Sequence, residues 1–476
     1  MLEKIFKLKE NGTDVKTEVI AGLTTFMTMA YIIALNPNLL TGFTANGGQE
    51  LWNAVFLATC IASAFGTILM AFIANKPFAM SAGMGLNSFF AVVVANIATI
   101  AGVSYLEGFR AGLCIILIEG IVFIILSALN VREKIVQAIP LGVRLGISPA
   151  IGLMLLNIGF GSNAGVYSET GGPFYAMANF FGSLTASYAK DTMGSGYPVM
   201  VLTVITMFVG LFTIVALDHK KVKGSVLYGI LTGSVIYWAG EYFVLHINPF
   251  ASLATASWLP PFKDMATLTL FKFDFNVLKS LGMFTVVTLV LTFCIIDMFD
   301  TIGTLVGTAS RANMLDENGN MPNMKEALLS DACGTVCGAI TGTSTITTFV
   351  ESASGVEAGG RTGLTSLVTG LIFLACMFIS PIAAIIPAAA TSSALIYVGI
   401  LMLQGLKNID FDDISVCVPV FIMLVAMPIS GSIGHGIGLG LIAYTIIKFI
   451  TGKAKEVSPL TLVLSILFLV KFFFAF

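Results

Sequence analysis

Charge is the scarcest property of this chain: only 11% of its 476 residues are Asp, Glu, Lys or Arg, where a soluble domain carries about 25%. With 57% hydrophobic residues and a mean hydropathy of +0.94 over the whole length, a soluble fold is excluded. A net charge of -2 leaves no basic surface for nucleic acid. Histidine is nearly missing: His219 lies in a basic loop, His246 at the end of an apolar run, and His435 in GSIGHGIG near another. A relay of protons through imidazoles is therefore not expected. The seven cysteines (Cys60, Cys114, Cys294, Cys333, Cys337, Cys376, Cys417) are scattered through apolar runs, where a thiol behaves as a small buried hydrophobe. Cys333 and Cys337 fit no zinc spacing, so no metal, cofactor or disulfide framework is expected. No signal-peptide core precedes the first apolar run near Ile20, and the charged N-terminus is expected to stay in the cytoplasm.

What is present is apolar sequence in helix-length pieces. Hydropathy spread along the chain, without strand alternation, argues against a transmembrane barrel and for an all-α polytopic membrane protein. A span needs about 20 apolar residues, and clear candidates run 20–37, 53–74, 108–129, 141–160, 197–217, 224–245, 283–305, 364–380, 385–404 and 433–450. Residues 79–98 and 331–358 are rich in Gly, Ser and Thr, the composition of broken helices that line a cavity. With 413–429 and 457–476 read as short spans or interfacial helices, the count is about fourteen. Basic residues cluster at Lys4, Lys7, Lys9 and Lys16, at Lys76, at Arg132 and Lys134, at Lys220, Lys221 and Lys223, and at Arg311 and Lys325. One-sided placement of these clusters gives a first half of seven crossings. An odd number makes any second copy run inverted. Such a copy is faintly visible: Ile139-Pro140 and Gly152 recur as Ile386-Pro387 and Gly399 at the same spacing.

Against this background a few polar residues stand out. Asp297 and Asp300 lie in FCIIDMFDTIGT, three apart and so on one helix face, with Thr292, Thr301 and Thr304 extending a polar stripe. An aspartate at the centre of a membrane helix costs about 2.5 to 3.5 kcal/mol to insert, and the default reading of one is an ion or solute pathway. Glu351 lies in GTSTITTFVESASGVEAGGRTG, a glycine-broken stretch entering a half-helix, whereas Glu357 and Arg361 sit nearer water. Asn87, in SAGMGLNSFF, offers donors and an acceptor beside Gly83 and Gly85. Two readings of it stand, a ligand residue or a helix-packing asparagine. With imidazoles so scarce, a coupling proton is expected on Asp297, Asp300 or Glu351.

At these motifs the chain resembles the nucleobase-cation symporter-2 superfamily, in its azaguanine-like branch of adenine, guanine and hypoxanthine permeases. The likeness spans NGTDVKTEVIAGLTTFMTMAYIIALNP, SAGMGLNSFF, DMFDTIGTLVG and TTFVESASGVEAGGRTGLTS, and so nearly the whole chain. The uracil and xanthine branch has Asn directly after the tenth-helix Glu or Gln and Gly three positions after it. Here Ser352 stands at the first position and Gly355 comes four after Glu351, which fits the purine branch instead.

The resemblance implies a seven-plus-seven inverted repeat with a core domain (1–134 and 283–380) and a gate domain (135–282 and 381–476), and a homodimer. It implies that Asp297 is the eighth-helix acidic substrate residue, that Glu351 is the tenth-helix residue that clasps the base, that Asn87 is the third-helix polar residue, that Phe349 packs on the ring and that Asp300 is a further acidic position of the branch; Asp297 and Glu351 are expected to face each other across the purine. A purine offers a flat π-face and an edge of N–H donors that a carboxylate accepts in pairs. Guanine suits a bidentate Glu351, whereas adenine lacks the N1 proton and needs a protonated carboxyl or another partner.

The expected function is proton-coupled import of purine bases across the cell membrane by alternating access, and not an enzyme activity. An anion exchanger or channel of the same architecture is the alternative, although central carboxylates would repel its ligand. An intramembrane aspartyl hydrolase needs two carboxylates able to share a proton, usually from separate helices. Asp297 and Asp300 lie on one, and no Gly-x-Gly-Asp stretch occurs.

Overall fold

The computed structural model describes residues 2–42, 44–129, 140–163, 196–222, 224–254, 256–311, 314, 321–430 and 433–474. Arg132, Lys134, Ile139 and Lys223 lie outside the described residues. The first half runs α1 (Val15–Met29), α2 (Ile32–Leu40), α3 (Gly48–Leu69), β1 (Met80–Ala82), α4 (Met84–Ala101), α5 (Tyr105–Ala128), α6 (Leu141–Ile158), α7 (Tyr197–His219) and α8 (Ser225–Phe243). The second runs α9 (Met283–Arg311), α10 (Met324–Thr341), β2 (Ile346–Thr348), α11 (Ser352–Glu357), α12 (Gly363–Ala375), α13 (Ala388–Leu403), α14 (Ile414–Ser430), α15 (Ile433–Ile450) and α16 (Pro459–Phe474). Among the described residues eight helical stretches are long and apolar enough to cross a membrane, and four more are shorter but apolar. Both uncertain C-terminal segments are helices, α14 and α16.

Helix starts follow local chemistry. Asp14 caps α1 by accepting from the Thr17 amide at 3.0 Å, and Ser104 with Glu107 closes a capping box at the start of α5. The break after Ala74 is different in kind. There the chain leaves helical geometry, and from Met80 it forms β1, which pairs antiparallel with β2, Ser81 opposite Thr347. Hydroxyls from two helices complete the job: Thr67 of α3 donates to the Met80 carbonyl at 3.0 Å, and Thr335 of α10 to that of Ile346 at 3.1 Å. Backbone left unpaired at this depth would cost several kcal/mol per group.

The second broken segment begins later than the composition suggests. Residues 331–341 continue α10 as regular helix, and the break starts at Gly342. The small residues of that stretch serve close packing: a side chain on Gly66 would begin 3.5 Å from the Cα of Gly334, and one on Gly334 would begin 3.4 Å from the Cα of Gly66, so α3 and α10 nearly touch.

Two-fold inversion shows in contacts as well as in order. Gly152 of α6 and Gly399 of α13 meet reciprocally: a Cβ on either would lie 2.7 Å from the other's carbonyl oxygen. Gly66 with Gly334 and β1 with β2 repeat the relation. A two-fold axis in the membrane plane turns a strand into its antiparallel partner and brings matching glycines face to face, and the fold is a seven-plus-seven inverted repeat. Gly152→Ala should destabilise the protein by about 1–3 kcal/mol, measured as a lower unfolding temperature in detergent; an unchanged temperature would mean that the helices are not held this close.

Candidate substrate site

The site residues gather where the two strands give way to helices. Asp297 and Asp300 come from α9, Phe349 follows β2, Glu351 is the N-cap of α11, and Asn87 lies in the first turn of α4. Asp297 and Asn87 are fully buried, Phe349 is 5% exposed, and Asp300 and Glu351 are partly exposed. Asp300 approaches the strand ends: its Oδ2 lies 3.6 Å from where a side chain on Gly83 would begin.

Asp331 of α10 is a fourth carboxylate here, fully buried, and sequence reasoning passed over it. The Thr301 hydroxyl joins it to the others, 3.1 Å from Asp297 Oδ1, 3.0 Å from Asp331 Oδ1 and 2.7 Å from the Thr347 hydroxyl. A signal existed in the repeat. Ser63-Ala64-Phe65-Gly66-Thr67 in α3 parallels Asp331-Ala332-Cys333-Gly334-Thr335 in α10, with the acid in the place of the serine. Ser63 meets the Ser81 hydroxyl at 2.7 Å, as Asp331 reaches Thr347 through Thr301.

Asn87 is tied into the protein. Its Nδ2 donates to Asn36 Oδ1 at 2.6 Å and its Oδ1 accepts from the Ser344 hydroxyl, while Asn36 donates to Thr59 and Thr343 at 2.7 and 2.8 Å. Glu119 of α5, fully buried, accepts from Thr345 at 2.9 Å behind β2. Glu351 is held by the first helix: Tyr31 Oη donates to its Oε1 at 2.6 Å, and the hydroxyls of Thr28 and Ser354 approach its carbonyl at 3.4 and 2.8 Å.

Glu18 of α1 fixes the far end of this segment. Its buried carboxylate accepts from the amides of Arg361 (2.7 Å), Thr365 (3.1 Å) and Thr362 (3.3 Å) and from the Thr365 hydroxyl (2.7 Å). Arg361 in turn donates to the carbonyls of Val356 and Gly360, capping the end of α11.

Acidic groups enclosed between two strand-broken elements of an inverted repeat define a secondary transporter, not an enzyme. A family model described as a permease family matches residues 16–430, and the chain belongs to that family, the nucleobase-cation symporter-2 family. It is a multi-pass membrane protein. It is 36% identical to the adenine permease AdeP of Escherichia coli over 100% of this chain and 96% of that protein. It is 37% identical to the guanine/hypoxanthine permease PbuO of Bacillus subtilis over 98% of this chain and 100% of that protein. Among solved structures the transmembrane domain of the cyanobacterial bicarbonate transporter BicA aligns with a TM-score of 0.62 at 14% identity, covering 88% of this chain and 97% of that one. That likeness is one of fold.

Removing Glu18 leaves several buried donors without an acceptor. Glu18→Ala should therefore lower stability by at least about 2 kcal/mol, with Glu18→Gln between it and the parent, as read by thermal unfolding of purified protein. Equal stability of all three would show that this carboxylate holds nothing.

Proposed function

We propose that the chain imports purine nucleobases across the cell membrane together with protons, by alternating access, with its N-terminus in the cytoplasm. The observation that carries the reading is the convergence of Asp297, Asp300 and Glu351 on the β1–β2 junction of a chain whose relatives are purine permeases. Glu351, partly exposed and beside Phe349, is the acceptor for the N–H edge of the base, with the ring of Phe349 on its face. Asp297 and Asp300 close the site from α9. Asn87 acts from behind, through Asn36 and Ser344, keeping α4 in register with α2.

The carboxylates also suit proton coupling. Thr301 has one hydroxyl proton to give and lies between Asp297 and Asp331. A proton added to either carboxyl completes the second hydrogen bond, and its departure reopens it.

The core domain of this reading is 1–134 with 283–380 and the gate 135–282 with 381–476, and two gates meet in a homodimer. Packing supports the division, since α6 lies on α13 and α14, and α7 and α8 on α13, while α1 and α3 lie on α12 and α10 packs on α3 and α5. An anion exchanger of the same fold is the weaker reading, because its ligand would meet carboxylates.

Uptake of radiolabelled hypoxanthine, guanine and adenine in cells lacking their own purine permeases tests this. Glu351→Ala and Asp297→Ala should each reduce uptake roughly 10-fold or more, as loss of a hydrogen bond to a charged group implies, and a proton uncoupler should abolish accumulation. Undiminished uptake in either variant would sink the site assignment. Stabilisation of purified protein by sulfate or bicarbonate, and not by purines, would favour the exchanger.

A further inference from the structure

Arg144 of α6 belongs to none of the basic clusters between spans, and the acidic site lies on other helices. It stands at the end of the first turn, where a cation meets the unfavourable end of the helix dipole. Half-buried, it has an Nε shut away from water with no hydrogen-bond partner among the described residues. Lys448 of α15, by contrast, is paired with Glu456 at 2.6 Å.

The neighbours of α6 fix where Arg144 stands. Gly142 and Gly146 lie against Val416 and Val420 of α14, Gly152 against Gly399 of α13, and Ile151 against Gly85 at the start of α4. Arg144, Ser148, Ile151 and Leu155 recur at the spacing of one helix face, so Arg144 is on the side of α6 that meets the core, between the core and α13. Ser148 is the one exposed position among the described side chains of α6, while Ile151 and Leu155 are buried. The face is open over its first two turns and shut from Ile151 onward. Four apolar spans precede α6, so the open end is on the side of the N-terminus, the cytoplasmic side in the reading above. A cation that only marked this side of the membrane would snorkel to the lipid headgroups, whereas this one lines a cleft with a serine beside it.

The core presents acid to the same cleft. Asp300 is partly exposed, and its Oδ2 lies 3.6 Å from where a side chain on Gly83 would begin, two residues before the Gly85 that meets Ile151. Seven residues of helix put Arg144 about 10 Å from Ile151 toward the open end. The ion pairs among the described residues include none between Arg144 and Asp300.

We propose that Arg144 is the counter-cation of the empty carrier: once base and proton have left to the cytoplasm, the cleft closes and the guanidinium draws up to the Asp300 carboxylate. Closing without it would bury an uncompensated charge, a strongly unfavourable state. With base and proton aboard the acids are already met, so the loaded carrier closes without Arg144. The inference rests on the reading of the chain as a proton-coupled purine carrier whose core moves against its gate.

The two halves of the cycle separate in proteoliposomes of purified protein. Net uptake of a labelled purine base into empty vesicles under an inward proton gradient needs the empty carrier to return, whereas exchange against the same unlabelled base inside does not. The base is hypoxanthine, guanine or adenine, whichever the parent takes up fastest. Arg144→Gln should slow net uptake at least about 10-fold, as loss of one partner of a buried ion pair implies, and leave exchange and purine-dependent thermal stabilisation near parental. Arg144→Lys should recover much of the net rate. For a Gln variant too unstable to assay, Arg144→Cys carrying a cationic aminoethyl thiosulfonate adduct should show faster net uptake than the same sample carrying the anionic sulfonatoethyl adduct, with the parent treated alike as control. Equal loss of net uptake and exchange, equal net rates with the two adducts, or parental net uptake by Arg144→Gln would overturn the proposal. A parent that neither binds nor exchanges a purine would instead overturn the functional reading, and this inference with it.

Discussion

The pairing of two three-residue strands in the membrane interior is the constraint on which the rest of the molecule depends. A break in a membrane helix frees backbone groups that lipid cannot satisfy, and a single break has no obvious partner. Here each break satisfies the other, Met80 opposite Thr348 and Ala82 opposite Ile346. The chain can interrupt one element because it interrupts the inverted copy at the same depth. Everything polar in the site follows from that meeting point: Gly83 donates to the Thr345 carbonyl at 3.2 Å and Phe349 to that of Ala79 at 3.0 Å, fixing where α4 and α11 begin.

The frame is symmetric and the chemistry is not. Corresponding helices supply corresponding backbone supports, Thr67 in one half and Thr335 in the other. Around them the second half places Asp297, Asp300, Asp331 and Glu351, while the first half answers with Tyr31, Asn36, Ser63 and Asn87. Four acids on both sides of the axis would bring more like charge together than an apolar interior tolerates. Tyr31 of the first half donates to Glu351, and Thr301 of the second stands between Asp297 and Asp331, which leaves one face of the site acidic for a ligand that presents N–H groups.

Much of this was legible. Composition and hydropathy establish a helical membrane protein, the Gly/Ser/Thr-rich segments mark the two breaks, and the cost of aspartate in lipid draws attention to Asp297 and Asp300. What escaped has physical causes. Asp331 begins a stretch read as broken but lies in continuous helix, where glycine serves helix contact instead of flexibility. Its match to Ser63 hides in a serine-to-acid difference, so a search for like residues passes over it. Tyr31 carries no cost signal, since tyrosine is at home in an apolar run, and its meaning lies only in the residue across from it. Glu18 reads as one more charge in a charged N-terminal segment, although the fold buries it completely.

That last residue shows how a six-residue helix can carry a site at all. Alone, α11 is far below the length at which a helix holds itself, and its two ends open onto a strand and a turn. It is held from outside. Glu18, Ala21, Thr25 and Thr28 recur at the spacing of one helix face, and along that face Glu18 binds the turn after α11, Ala21 and Thr25 close on Gly355, and Thr28 approaches the Glu351 carbonyl. Tyr31, just beyond the end of α1, takes the Glu351 side chain. The first helix is thus a rigid rule laid against the shortest element, setting the position of Glu351 by contacts spread over several turns. A substitution anywhere on that face acts on the site through the register of α11, without touching the ligand.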